Sequence, residues 1–203
     1  MRRIIYMVAT VAAMFVAVAQ ADAQMGKRYY INGGWQFNGT PGNSFVESAD
    51  GYGAYMEGGY YLTPMLAVGG FASFNTNDKY IPRTTYTFSD MSALTTDLTR
   101  SIYQVPFGAT LRCRFSRSIV QPYVEAKIGA EYATQNTYMS TFLNRHDNWG
   151  FYISPEVGMT IFPFQQTDFG FHLAIYCSYA TNQNKSLDIN GINNLGFKLG
   201  IAF

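Results

Sequence analysis

Charge is scarce and evenly split in this chain, with 14 Lys and Arg against 13 Asp and Glu and a formal net charge of +1 over 203 residues. A nucleic-acid binder needs a basic excess or a basic face, so the sequence excludes that class of partner. Cysteine is nearly absent: Cys113 and Cys177 stand alone and far apart. Two isolated thiols give neither a zinc-ligand spacing nor a disulfide framework. Long apolar runs are missing too after residue 23, because Gly, Asn, Ser or a charge breaks each one within a few residues. A spanning helix needs about 20 apolar residues in a row, so none is expected there. Phosphate-cradling glycine loops and nucleophile elbows are also lacking.

What is present begins at the amino terminus. Arg2 and Arg3 precede an apolar stretch from Ile4 to Ala19, and small residues follow at Ala21 and Ala23. This three-part pattern is that of a cleaved secretory signal peptide. Residues 1–23 are expected to be removed, with cleavage after Ala23 favoured over Ala21, leaving 24–203 as the mature domain. No cysteine follows the apolar stretch, so a lipid anchor is not expected. Arg2, Arg3 and Asp22 leave with the peptide, so twelve basic and twelve acidic side chains remain.

The mature chain divides into segments of alternating polarity, the period-two signature of strands with one apolar face. Eight are expected: about 29–37, 52–62, 66–74, 101–115, 123–132, 151–162, 169–179 and 195–203. Each is about the ten residues that a tilted strand needs to cross a bilayer. The links between them alternate in length. Those at 63–65, 116–122 and 163–168 are short; those at 38–51, 75–100, 133–150 and 180–194 are longer. Short periplasmic turns and long external loops are the habit of outer-membrane barrels. The fold expected is therefore all-β: a closed antiparallel eight-stranded up-and-down transmembrane β-barrel. The polar stretch 75–100 reads as the longest loop, with an added hairpin as the alternative. In this register Cys113 and Cys177 point outward on non-adjacent strands, which disfavours a bond between them.

The opposite face of the strands carries nearly all their charge. Glu57, Arg112, Arg114, Glu125, Lys127, Glu131, Glu156, His172 and Lys198 are expected to point inward as one belt, with Arg112 opposite Glu125. The belt reads either as a selectivity filter or catalytic constellation, or as a plug. The plug is favoured. An eight-stranded barrel is barely wide enough for its own side chains, and buried charges must be paired. No cofactor or metal is expected: four carboxylates with one histidine are a poor ligand mixture. Nor is a catalytic set. His172 faces inward, His146 sits in a loop beside Arg145 and Asp147, and nothing aligns Ser140 with it.

The last segment sharpens the picture. Leu195, Phe197, Leu199, Ile201 and Phe203 share one face, and Gly196, Lys198, Gly200 and Ala202 the other. A strand that alternates this way and stops on an aromatic resembles the closing strand of bacterial outer-membrane barrels. In that group the terminal aromatic is part of the assembly signal, a role the resemblance implies for Phe203. Gln104-Val105-Pro106-Phe107-Gly108 resembles a strand opening of small Bacteroidetes-type barrels. The whole mature chain thus resembles the small barrel domain of OmpA-like, OmpX-like and opacity-type proteins. The resemblance implies the outer membrane of a Gram-negative bacterium, with both mature termini periplasmic. The partners expected are outer-membrane lipid, the barrel-assembly machinery and a surface ligand held by the external loops. No periplasmic peptidoglycan-binding domain follows Phe203, so cell-wall tethering is not expected. The function expected is that of a non-enzymatic envelope protein with a plugged polar lumen. The alternatives are a narrow porin-like channel and, less favoured, a lipid-modifying enzyme.

Overall fold

Strict alternation gives each strand a polar inner face and an apolar outer one, and eight such strands close on themselves. The computed structural model describes residues 28–43, 45–46, 51–89, 92–139, 142–163, 168–183 and 191–203. The expected signal peptide, its cleavage sites and Ser140 lie outside the described residues. The strands are β1 Tyr29–Gly39, β2 Gly51–Tyr61, β3 Leu66–Ser89, β4 Ser92–Arg114, β5 Val120–Met139, β6 Phe142–Ile161, β7 Gly170–Ala180 and β8 Ile192–Ala202. Each pairs antiparallel with its sequence neighbour, and β8 returns to β1, forming a closed up-and-down barrel.

The register fixes the barrel's girth. Stepping from Asn32 through Glu57, Phe71, Gly108, Gly129, Tyr152 and Ala180 ends at Ile192. The other neighbour of Asn32 is Ala202, ten residues along the same strand. A stagger of this size in eight strands tilts them by roughly 40° and leaves a lumen that side chains fill. An 11-residue strand such as β1 or β7 then spans about 27 Å, close to the ~25 Å apolar band of outer-membrane barrels.

Aromatic side chains mark both edges of that band. On one side Phe169 meets Phe171 and Phe203 edge to face, at 5.5 and 5.9 Å between centroids. On the other, Phe37 stacks on Phe197 and Trp149 packs against Tyr132 and Phe107. Cys113 and Cys177 are free thiols on the outer face. The strands also approach closely where glycines meet. A Cβ on Gly69 would collide with the backbone of Gly58 and Gly59, which only a residue without a side chain avoids. The seam is sealed at the chain's end: Phe203 and Ile31 exchange both backbone hydrogen bonds, at 2.8 and 3.1 Å.

Two expected loops are strands instead. β3 pairs with β2 only as far as Thr76 but continues to Ser89, and β4 runs beside it from Ser92. β5 and β6 extend in the same way through 133–139 and 142–150. Residues 75–89 and 92–100 of the polar stretch are therefore paired as a hairpin arm, which continues β3 and β4 instead of adding separate strands. Beyond the band these four strands form a projecting sheet with one exposed face and one face on which Leu98, Thr96 and Asn136 are buried, so polarity there does not signal irregular backbone. His146, expected in a loop, lies in β6 opposite Gln135.

The mouth at the projecting end is capped from within. Pro41 and Gly42 (φ +77°) turn the chain after β1, with Asn43 N–H donating to Thr40 O at 3.3 Å. Proline followed by a left-handed glycine is the type II turn pattern. The Thr40 hydroxyl donates to Val46 O and the Phe45 N–H to Asn43 Oδ1. Phe45 and Val46 are thereby buried against Phe71, Ile102, Ala133, Tyr152, Ala180 and Ile192.

Candidate functional site

The inner face gathers a single ion-pair layer in the half of the lumen away from the cap. Arg112 on β4 lies opposite Glu125 on β5. Its Nε donates to Glu125 Oε2 and its Nη2 to Glu57 Oε1, each at 2.5 Å. Lys127 Nζ bridges Glu57 Oε2 at 2.5 Å and Glu156 Oε2 at 2.6 Å, and Lys198 Nζ reaches the same Glu156 oxygen at 2.6 Å. The layer thus joins three carboxylates to three cations, a charge sum of zero. Every member is buried. Burial of charge on this scale is tolerated only with partners at hydrogen-bond distance.

Aromatic rings complete the layer. The Arg112 guanidinium lies between the rings of Tyr30 and Tyr123, 3.9 Å from each centroid. Lys198 sits 4.8 Å from the ring of Tyr55 and 5.1 Å from that of Tyr176. These contacts add cation–π attraction where water is absent. His172 bonds through Nδ1 to the Tyr55 hydroxyl and through Nε2 to the Tyr123 hydroxyl. The network places a proton on its Nε2. Tyr123 has one O–H proton, and it goes to Glu156 Oε1 at 2.8 Å. Its oxygen must then accept from Nε2–H, while Nδ1 pairs with the Tyr55 hydroxyl. Both ring nitrogens are thus occupied. Gly158 and Gly200 make room for this arrangement, since a Cβ on either would collide with the hydroxyl of Tyr123 or Tyr55.

Two of the nine expected belt residues stand apart. Arg114 lies at the turn end of β4, donating to Gln121 Oε1 at 2.8 Å and Pro64 O at 3.2 Å and stacking on Tyr61. Glu131 lies four residues beyond Lys127 on β5, ~13 Å along the strand, and no cation among the described residues is within ion-pair distance of it. Strand tilt, which sequence spacing does not reveal, separates these heights. The tyrosines are what a charge-centred reading passes over. Tyr55 and Tyr123 share the inward parity of Glu57 and Glu125, and that parity was the available signal.

Chemically, the layer is closed. Glu57, Glu156 and His172 place ligand atoms within 4.8 Å of one another, a spacing that a metal ion would accept. Yet Glu57 and Glu156 already bind Arg112, Lys127 and Lys198, and both His172 nitrogens face tyrosines, so the chain itself supplies the positive charge there. On the projecting sheet, Arg145 Nε donates to Asp147 Oδ1 at 2.9 Å, which holds the Asp147 carboxyl below its usual range.

A family model described as the outer membrane protein beta-barrel domain matches residues 8–203. The chain belongs to that family, and its place is the outer membrane. Among solved structures, neisserial surface protein A is similar over 87% of this chain and 96% of that one, at 13% identity and a TM-score of 0.56. At that identity the likeness is one of fold. Ail, the attachment invasion locus protein of Yersinia pestis, aligns over 88% of this chain and 100% of its own, at 15% identity and a TM-score of 0.48. OprG of Pseudomonas aeruginosa aligns over 86% and 93%, at 13% identity and a TM-score of 0.47. No curated protein matches the chain.

Proposed function

We propose that this outer-membrane barrel is a non-enzymatic surface protein, plugged by its own ion-pair layer, that works through the sheet it raises above the membrane. The observation that carries the reading is the division of labour along β3–β6. Below, β4, β5 and β6 give Arg112, Glu125, Lys127 and Glu156 to the neutral layer; above, β3–β6 run on past the other strands, with residues 181–183 touching β6 only as far as Asn148 among the described residues. β3 past Thr76 has no β2 partner and β6 before Tyr152 has no β7 partner among the described residues. Such open edges and faces, with Tyr80 and Leu143 exposed on them, are where a neighbouring envelope component or surface ligand would dock. The three occupied carboxylates and the doubly bonded His172 leave no group poised as base or nucleophile in the layer, which supports a non-catalytic role.

In this reading the short turns and both mature termini face the periplasm, the projecting sheet faces outward, and Phe203 serves the assembly machinery as the terminal recognition residue. An epitope inserted at residues 90–91 tests the orientation. Antibody should reach it on intact cells, whereas an epitope at the amino end of the mature chain should need a permeabilised outer membrane; the reverse pattern contradicts the proposal. Phe203→Asp should lower the amount of folded, heat-modifiable barrel while leaving export intact, and normal amounts would remove the role assigned to Phe203.

A further inference from the structure

Between the ion-pair layer and the apolar cap lies a second polar tier. Asn38, Gln104 and Asn194 are buried there and bind one another, Asn194 Nδ2 donating to Gln104 Oε1 at 2.7 Å and Asn38 Nδ2 to Asn194 Oδ1 at 3.1 Å. Glu131 shares the tier with 0% exposure, and neither of its carboxylate oxygens has a hydrogen-bond partner in the structure. Asn182, also at 0%, leans over it. Its Nδ2 donates to the backbone oxygen of Glu131 at 3.4 Å and to Asn148 Oδ1 at 3.1 Å, while its own Oδ1 meets no donor. That oxygen fills the space a side chain on residue 150 would take, and Gly150 is the register partner of Glu131. A carboxylate and an amide oxygen, both buried and both without donors, thus lie on neighbouring residues of the inner wall, one on β5 and one just past β7.

Charge counting says what is missing. Glu57, Glu125 and Glu156 are balanced by Arg112, Lys127 and Lys198, so the lower layer has no positive charge to spare. Arg114 lies at the other end of the barrel, and Arg100 is at the mouth, 5.0 Å above the ring of Phe45. Among the described residues, Glu131 is the buried lumen carboxylate that no cation reaches. A bare carboxylate cannot persist in such a place. Oxygen ligands of this kind suit hard cations, and a single carboxylate calls for a single positive charge. We propose that Glu131 and Asn182 Oδ1 hold a monovalent metal cation, sodium or potassium, in the stretch of lumen between the ion-pair layer and the Phe45–Val46 side chains.

The test uses the mature barrel folded in detergent, at fixed pH and ionic strength, with choline chloride replaced stepwise by sodium or potassium chloride. Choline supplies the same screening, but its methylated nitrogen cannot take oxygen ligands at the distances a metal ion does. The urea midpoint of the wild type should rise with sodium or potassium and level off. Glu131→Gln keeps the shape and should abolish the rise, and Asn182→Ala should move half-saturation several-fold higher. Sodium-23 line broadening by the wild type, reversed by potassium and not by choline, gives a readout that needs no variant. Equal midpoints in all three salts, or sodium lines left unbroadened, would overturn the site. So would a wild type indifferent to the cation but stabilised by acid through Glu131, since the carboxyl would then hold a proton instead.

Discussion

The two polar tiers of the lumen share one wall and differ in how they settle their charge. In the lower tier three carboxylates meet three cations, with aromatic rings around them, and the tier is complete without a guest. In the upper tier amides bind amides, and Glu131 is left with two unfilled oxygens. The comparison teaches that a narrow barrel does not tolerate interior charge as such. It tolerates pairs, and Glu131 is the buried carboxylate for which the described residues offer none.

Removing Glu156 should break the lower tier most severely, because Lys127, Lys198 and Tyr123 all bind it. Glu156→Gln should cost about 3–5 kcal/mol, the penalty for stranding buried charge, read as a lower urea midpoint in detergent or lipid. A loss under about 1 kcal/mol, the scale of an exposed ion pair, would mean that the tier is wet.

Arg112→Ala should cost about 3 kcal/mol by leaving buried Glu125 without its hydrogen-bonded partner and with only Lys127, 3.7 Å away. Adding Glu125→Gln should recover much of it, since Glu57 keeps Lys127 and Asn32. A double variant no better than the single would show that the loss lies in the Tyr30–Arg112–Tyr123 stack rather than in orphaned charge.

The upper tier should answer the same kind of change with the smallest effect. In choline buffer, Glu131→Gln should leave the urea midpoint unchanged or raise it, because it removes a charge that has no partner. A loss as large as that of Glu156→Gln would erase the distinction between the tiers.

Much of this was legible in the residues. Alternation alone assigns Trp35, Leu111 and Ile175 outward and Glu57, Lys127 and His172 inward, and hairpin folding sets Arg112 against Glu125. The continuation of β3 and β4 through 75–100 was not legible by polarity, because strands that leave the membrane need no apolar face; their threonine content was the better sign. Nor could spacing place Glu131. Its height depends on the ten-residue stagger of the closed barrel, which belongs to all eight strands together and to no single segment.

The central claim is that the lower tier closes the lumen and serves stability rather than conduction. Planar-bilayer recording of the wild type and Arg112→Ala, beside urea unfolding of both, tests it most directly. The account predicts no steady conductance from the wild type and a large stability loss in the variant. A wild type that conducts, with a variant that changes ion selectivity while its urea midpoint hardly moves, would contradict it.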